Sequence, residues 1–404
     1  MATITTAGSG NWDAGATWTG GSVPADGDTA SISSGHTCTL TENEQVGAVV
    51  INGGTIAGGG FKITCVKTSG RLFDHSGTIT GNLDVELQGT HSTTEDFMGT
   101  GNIRNLTLNG SGLNVDIGRA TTIAGDLTIT QGTLDTNSSS NHALTVGGKT
   151  LINGGTLTCN ASTLSLKSGV DNDIFGLQVA SGTFNGGTGT HTIGGIRVSG
   201  GTLTFTSGNT TINAGETSSS AGAIYISGSP TVNTSSGTVI IDTSGTKQFL
   251  LYNANLTLHN LTINSGSSIR LWQPTSDGSG TELLTVAGDL TINGTLDTDY
   301  SSNDDVNLTV TGDASVTGTL TGNASAISMG SVTIESGGTY SATSGTTTLA
   351  TADTHRAGYG GQPSALEVKS GGTFTHNKGT VKLTSTYDQD IEMDGTGTLY
   401  NLTF

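Results

Sequence analysis

Carboxylates are the side chains in this sequence that come closest to forming a chemical apparatus. Three clusters stand out: Asp171 with Asp173, Asp304 with Asp305, and Asp388, Asp390, Glu392 and Asp394. Glycoside hydrolysis needs two carboxyl groups about 5–10 Å apart across a sugar-sized groove. All three clusters fall in loop-like stretches, and none is set among the aromatic and basic residues that would hold a glycan. Asp388, Asp390, Glu392 and Asp394 alternate, so a strand would carry all four on one face, where repulsion favours Ca²⁺ or plain solvation. Asp353, His355 and Arg356 form a further trio, but no serine or cysteine nucleophile is singled out beside it, and it reads as a surface loop. His75, His91, His191, His355 and His376 have no partner histidine at metal-ligand spacing. The expectation is a protein without catalytic residues, metal or cofactor.

Other chemistry-bearing residues lead the same way. Cys38, Cys65 and Cys159 are too few and too scattered for a disulfide framework or a thiolate metal site, and read as buried free thiols. Glycine strings such as Gly58-Gly59-Gly60 are not phosphate loops, since no Lys-Ser or Lys-Thr and no helix follows. Five Asn-Leu-Thr triplets match a glycosylation acceptor, but they recur because a longer repeat does. In a repetitive chain, function sits where the pattern breaks. The largest breaks are Trp272–Gly280 and Tyr340–Gln362, which make Trp272 and Tyr359 the candidate ligand contacts.

The elements that would position these residues are strands. Asp126–Thr130, Thr202–Thr206 and Gly379–Thr384 place apolar residues at every second position and mostly threonine between them, the period of a pleated strand with one wet face. No stretch shows a convincing 3.6-residue period, so almost no helix is predicted. A Gly-Thr-apolar triplet punctuates the strands, beginning at Gly54, Gly77, Gly132, Gly155, Gly182, Gly201, Gly294, Gly318 and Gly338. Neighbouring triplets lie 19–24 residues apart, as in one three-strand rung of a parallel β-helix. The glycines are expected to supply positive φ at tight corners, which pairs such as Asn52-Gly53, Asn153-Gly154, Asn293-Gly294 and Ser336-Gly337 also mark. A longer repeat lies above the rung: Ala124-Gly-Asp and Asn160-Ala-Ser recur 163 residues later at Ala287 and Asn323. Supermodules therefore start near residues 105, 260 and 401, and the stop at Phe404 in mid-module reads as a longer chain cut short or a rung covered by another subunit.

Composition sets the outer limits. Sixty-four glycines in 404 residues are about twice the usual share. With 32% apolar residues, the chain suits a small cross-section repeated many times better than large compact globules. Fourteen Lys and Arg against thirty-two Asp and Glu give a net charge of −18, which disfavours binding to nucleic acid or to anionic membrane surfaces. No window approaches 18 consecutive apolar residues, so no membrane insertion is expected, and the N-terminus lacks the basic and apolar regions of a secretory signal.

Residues 1–45 differ from the repeats of 46–404 and read as a cap. The pattern Trp12-x5-Trp18-x-Gly20-Gly21-x-Val23-Pro24-x2-Gly27-Asp28-x3-Ile32 resembles the start of many bacterial and phage β-solenoid proteins, and of the G8 domain. The Gly-Asp-Leu-Thr-Ile and Tyr-Asn-Leu-Thr strings are similar to those of repetitive adhesins and phage fibre or spike proteins. This resemblance implies a right-handed β-helix, homotrimers and a place in a virion. On the residues themselves, Trp12 and Trp18 would share one side of an extended path and cover the first rung's apolar interior, with sugar stacking as the alternative role. Gly27 would allow a turn there, and Asp28 would accept backbone hydrogen bonds. The combined expectation is an all-β, single-chain parallel β-helix acting as a virion fibre, spike or capsid-decorating filament in host attachment. Its partners would be other virion proteins, copies of itself and a host-surface glycan; a bacterial surface adhesin and a polysaccharide depolymerase are the rival readings.

Overall fold

A computed structural model describes residues 2–404, apart from 69, 90–94, 98–102, 167–174, 214–221, 274–281, 300–304, 351–363 and 385–388. The chain is an all-β parallel solenoid of about 15 turns. Helix among the described residues is confined to two short 3₁₀ pieces, Gly15–Thr17 and Thr19–Gly21, so none is long and apolar enough to cross a membrane. Every strand pairing described is parallel; Thr6 with Trp18 and Ser33 with Gly53 are single antiparallel bridges. The chain divides into two compact units, Met1–Ile193 with Gly200–Thr204, and Gly194–Ser199 with Phe205–Phe404.

In the first unit three faces recur. Leu106, Leu127, Thr150 and Leu177 stand in register on one, and Leu134, Leu157, Phe184 and Leu203 on the next. Ile123, Val146, Leu166 and Ile193 stand on the third. In the second unit the corresponding columns are Val239, Leu261, Leu290, Ala314, Val332 and Leu366; Ile269, Leu296, Leu320, Tyr340 and Phe374; and Leu258, Val286, Val310, Met329, Leu349 and Leu383. All these residues are buried, so each unit's core is a stack of inward side chains taken from alternate positions. At Asn401–Thr403 the pairing continues, but Tyr400, Leu402 and Phe404 are exposed.

The corners explain the glycine triplets differently from the expectation. Only Gly132, Gly182 and Gly201 of the nine take positive φ. At Gly54, Gly77, Gly155, Gly294, Gly318 and Gly338 the reason is close approach: an added Cβ would drive into the preceding turn. At Gly318 it would meet the Gly294 carbonyl, and at Gly338 that of Val316. The left-handed conformation falls instead to the residue before, as at Gly53, Gly154 and Gly337, where φ is 70°, 130° and 85°. In each of these Gly-Gly pairs the first residue turns the chain and the second lets the backbones meet.

Turn length varies. Register partners are 27 residues apart across the turn holding 167–174, and 29 and 28 across those holding 214–221 and 274–281. They are 34 apart across 351–363, beyond the 19–24 read from the triplets. The longer repeat is visible in hydrogen bonds, its paired residues offset by 155–163 positions. Asn105 Oδ1 accepts from the Asp126 amide at 2.8 Å, as Asn260 does from Asp289 at 2.9 Å. Asn160 and Asn323, both left-handed, each donate to an aspartate of the turn before, at 2.5 and 2.6 Å, while Ser162 and Ser325 bond Thr136 and Thr298.

Inward positions of the first unit include polar residues, Thr150, His75 and His191 among them. His191 stands in register with Leu164, is 2% exposed, and meets the edge of Phe184 with centroids 6.0 Å apart. Neither ring nitrogen has a hydrogen-bond partner among the described residues, and burial depresses its pKa to about 4.

Two predictions follow from this packing. Gly318→Ala forces backbone apart and costs about 3 kcal/mol or more, whereas Gly337→Ala, with open space at its Cβ, pays only the left-handed penalty of about 1–2 kcal/mol. Urea unfolding of both variants checks the order, and equal costs would refute the close-approach reading. For His191 the unfolded chain takes up its proton first, so the folded state loses about 3 kcal/mol as pH falls from 6.5 through 4. Glu44, raised to about 7 chiefly by burial, works in the opposite sense over pH 7 to 4.5, so the diagnostic is the difference between wild type and His191→Leu. That difference should grow on acidification; a gap independent of pH would exclude His191.

Candidate functional site

The most distinctive outer surface lies in the second unit. Strands Ile196–Val198, Gly222–Ser227, Gly245–Tyr252 and Ser267–Trp272 stack so that Arg197 faces Tyr225, Tyr225 faces Leu250, and Leu250 faces Trp272. Their sequence neighbours Ile196, Val198, Ile224, Ile226, Phe249, Leu251 and Leu271 fill the core, so alternation sends these four outward. Strands repeat about 4.8 Å apart, which places the Tyr225 and Trp272 positions about 9.5 Å from each other. Tyr252, 42% exposed, stands two positions past Leu250 on the same face.

Charge frames this strip. The Arg197 guanidinium lies 5.1 Å from the centre of the Tyr225 ring, a cation–π contact at an exposed position. Arg270, two residues before Trp272, faces Asp297 in register with a long ion pair of 3.9 Å. Tyr225 and Trp272 are half-buried, and Leu250 between them is 6% exposed. Ring faces beside a cation suit a ligand with an apolar face and an anionic or hydroxyl-rich edge. The other described Trp and Tyr are buried, as Trp12, Trp18 and Tyr340 are, or stand on the last turn, as Tyr400 does. Trp272, singled out from the sequence, belongs to the strip; Tyr359 lies outside the described residues.

The carboxylates divide differently. Asp171, Asp173, Asp304, Asp388, Asp353, His355 and Arg356 lie outside the described residues. Asp305 caps a corner by accepting from the Ala324 amide at 3.2 Å. Asp390, Glu392 and Asp394 are exposed on alternate positions, and Glu392 stands opposite Glu367. Among the described residues no three His, Cys, Asp or Glu side chains converge as metal ligands. The three cysteines are free and buried, and burial pushes the Cys38 and Cys65 thiols to about 12.

A carboxylate pair not singled out from the sequence lies on Leu83–Leu87 of the first unit. Asp84 is gripped by Arg104 through two bonds of 2.7 and 2.6 Å and by Asn105 at 3.0 Å. Glu86 accepts from Lys62 at 2.6 Å, Gln88 at 2.6 Å and Asn109 at 3.1 Å. Burial pushes the Glu86 pKa up, but these donors and the Lys62 charge outweigh it and hold Glu86 below its ordinary value. An ionised Glu86 has no proton to give a leaving group, so the pair acts as a ladder joining three turns. Only the fold places Lys62, Glu86 and Asn109 on consecutive turns; nothing in their separation along the sequence announces it.

The N-terminal segment builds an end to the first unit's stack. Trp12 is 0% and Trp18 1% exposed, their rings edge to face with centroids 5.1 Å apart, and Trp18 Nε1 donates to the Trp12 carbonyl at 2.6 Å. Rings buried this fully offer no face for a sugar to stack on. Gly27, at φ 87°, turns the chain, and the Asp28 carboxylate accepts from the Ala2 and Ala25 amides at 2.8 and 3.3 Å. Those bonds hold the Asp28 pKa below the usual carboxylate range. Glu44 takes an inward position opposite Ile63.

Comparison with protein-family models, curated proteins and solved structures gives no match to this chain. What the strip can do is therefore argued from its own chemistry.

Removing the Trp12 indole opens a cavity beside Trp18 and should cost about 3–5 kcal/mol. In limited proteolysis of Trp12→Ala, the cuts nearest the N-terminus should appear first. Wild-type resistance there would overturn the capping role.

Proposed function

We propose that this chain is a structural and adhesive virion protein: part of a phage fibre, a spike or a capsid-decorating filament that holds a host-surface glycan without cleaving it. It would assemble with other virion proteins and with copies of itself. The observation that carries this reading is the parallel solenoid itself, whose fixed register sets exposed Arg197 and Tyr252 and half-buried Tyr225 and Trp272 on one outer face of an otherwise threonine-rich and acidic surface. Stacked turns give a surface fixed by backbone pairing, and a strip on it is preorganised for a repeating polymer. Glu86, held below its ordinary value by Lys62, Gln88 and Asn109, has no proton to give a leaving group, which supports binding over hydrolysis at that pair.

The test is incubation of the chain with purified bacterial surface polysaccharides, following saturable binding and reducing ends together. Binding without new reducing ends is expected. Release of reducing ends would establish a depolymerase instead, and absence of binding to every polysaccharide would remove the attachment role. The genes beside this one separate a virus from a cell: virion genes support the proposal, and a surface-anchoring system overturns it in favour of an adhesin.

A further inference from the structure

We infer that the second unit carries a face that adsorbs to ice, built from the outward hydroxyls of strands Thr319–Thr321, Thr339–Ser341 and Thr373–Thr375. The inference goes beyond the attachment reading and uses none of its side chains.

The Gly-Thr-apolar triplet is the starting point. Its glycine closes a corner and its apolar residue enters the core, which leaves the threonine unaccounted for. Register stacks these threonines in one column of Thr295, Thr319, Thr339 and Thr373. Two positions along, Asp297, Thr321, Ser341 and Thr375 form a second column. Leu296, Leu320, Tyr340 and Phe374 between them are buried, so alternation turns both columns outward. From Thr319 to Thr375 all six members carry a hydroxyl and none a charge; Thr375 is exposed and the others are half-buried.

Other outer columns of this unit are less uniform. Thr291, Ser315 and Thr333 run on to Glu367 and Glu392, and Thr309, Ser328 and Thr348 run on to Lys382. In the first unit the matching second column is broken by Asp135 and Asn185. Strand propensity accounts for a β-branched residue on a wet face, but valine or isoleucine would satisfy it without a hydroxyl. Nor does the fold use these hydroxyls. Those of Thr319, Thr321, Thr339, Thr373 and Thr375 bond no other described group, and Ser341 accepts from Asn377 at 2.8 Å.

Spacing and charge identify the occupant. Turns repeat about 4.8 Å apart and alternate residues of a strand about 6.6 Å apart, which makes a nearly rectangular net of hydroxyls and methyls. Those two repeats lie near the spacings of oxygen rows on a prism face of hexagonal ice. Methyl groups leave water to bond with itself around them, and hydroxyls at this interval join that water to the protein. Backbone pairing fixes the net in advance, so little order is lost on adsorption. Three turns without charge complement a surface that is itself uncharged and periodic.

The experiment uses the full chain and ice alone. Osmometry on single ice crystals should show a gap between melting and growth temperatures, with faceted crystals, and slowly grown ice should take up the protein from solution. Thr339→Lys sets a long charged side chain in the middle of the net and should lose most of both effects. Thr339→Val keeps the shape without the hydroxyl and should lose part. Thr309→Lys, on another face, should lose neither, and unchanged circular dichroism of all three variants shows that folding is not the cause. Growth at the melting temperature with no uptake into ice overturns the inference, as does activity that Thr339→Lys leaves intact or Thr309→Lys equally removes. A chain inactive on ice whose dimer, seen by sedimentation, is dissociated by Thr339→Lys assigns the face to a second copy instead.

Discussion

Backbone stacked on backbone at corners too tight for a side chain is the constraint on which this structure depends. A parallel ladder can join successive turns only if their corners also come within strand spacing. At Gly77, Gly155, Gly294, Gly318 and Gly338 the preceding turn occupies the space a Cβ would need. Once those corners close, the three faces of a turn have no freedom to slide. Register is then fixed for every side chain, inward and outward. This explains why a core of modest side chains suffices: each apolar residue covers the one a turn before and is covered by the one after.

Fixed register has a consequence for the outer surface. Side chains at equal positions of successive turns are neighbours whatever their separation in sequence, so outer faces organise as columns. Some columns are hydrogen-bonded ladders, such as Asn105, Asp126 and Lys149, where each side chain satisfies an amide of the next turn. Other contacts between turns are ionic and run diagonally across the columns, as with Lys62, Glu86 and Asn109. The column from Arg197 to Trp272 differs because its members are aromatic, aliphatic and cationic, with no carboxylate among the described residues closing it at the arginine end. The first two kinds consume their polar groups in joining turns. In the third, Arg197 is exposed, Tyr225 and Trp272 are half-buried and Leu250 is buried.

The fold was legible in the sequence because its two determinants are local. Alternation of apolar residues with threonine declares strands, and the glycine triplets declare corners at a regular interval. The reason for those glycines was not legible, since positive φ and close approach both select glycine and only coordinates separate them. Trp272 could be found because it interrupts the pattern. Tyr225 and Arg197 could not: they are 47 and 75 residues upstream of it, and the turn lengths between them are irregular. A register read from the average rung would have put them on other columns. Asp84 and Glu86 were passed over because their partners come from the turns before and after, which sequence distance does not reveal.

Arg197 and Arg104 show how one residue type serves two ends in the same fold. Both project from outer strand faces, and both are cations in a strongly acidic chain. Arg104 meets Asp84 with the paired geometry that makes guanidinium–carboxylate contacts strong, so its donors are spent and it binds turn to turn. Arg197 meets Tyr225 in register, with its guanidinium carbon 5.1 Å from the centre of the ring. A ring beside Arg197 therefore takes the place that a carboxylate takes beside Arg104. A surface meant only to be inert would gain from an aspartate at Tyr225, which would close the column as Asp84 closes its own. The tyrosine there, with leucine and tryptophan following it, gives up that closure and leaves the arginine exposed.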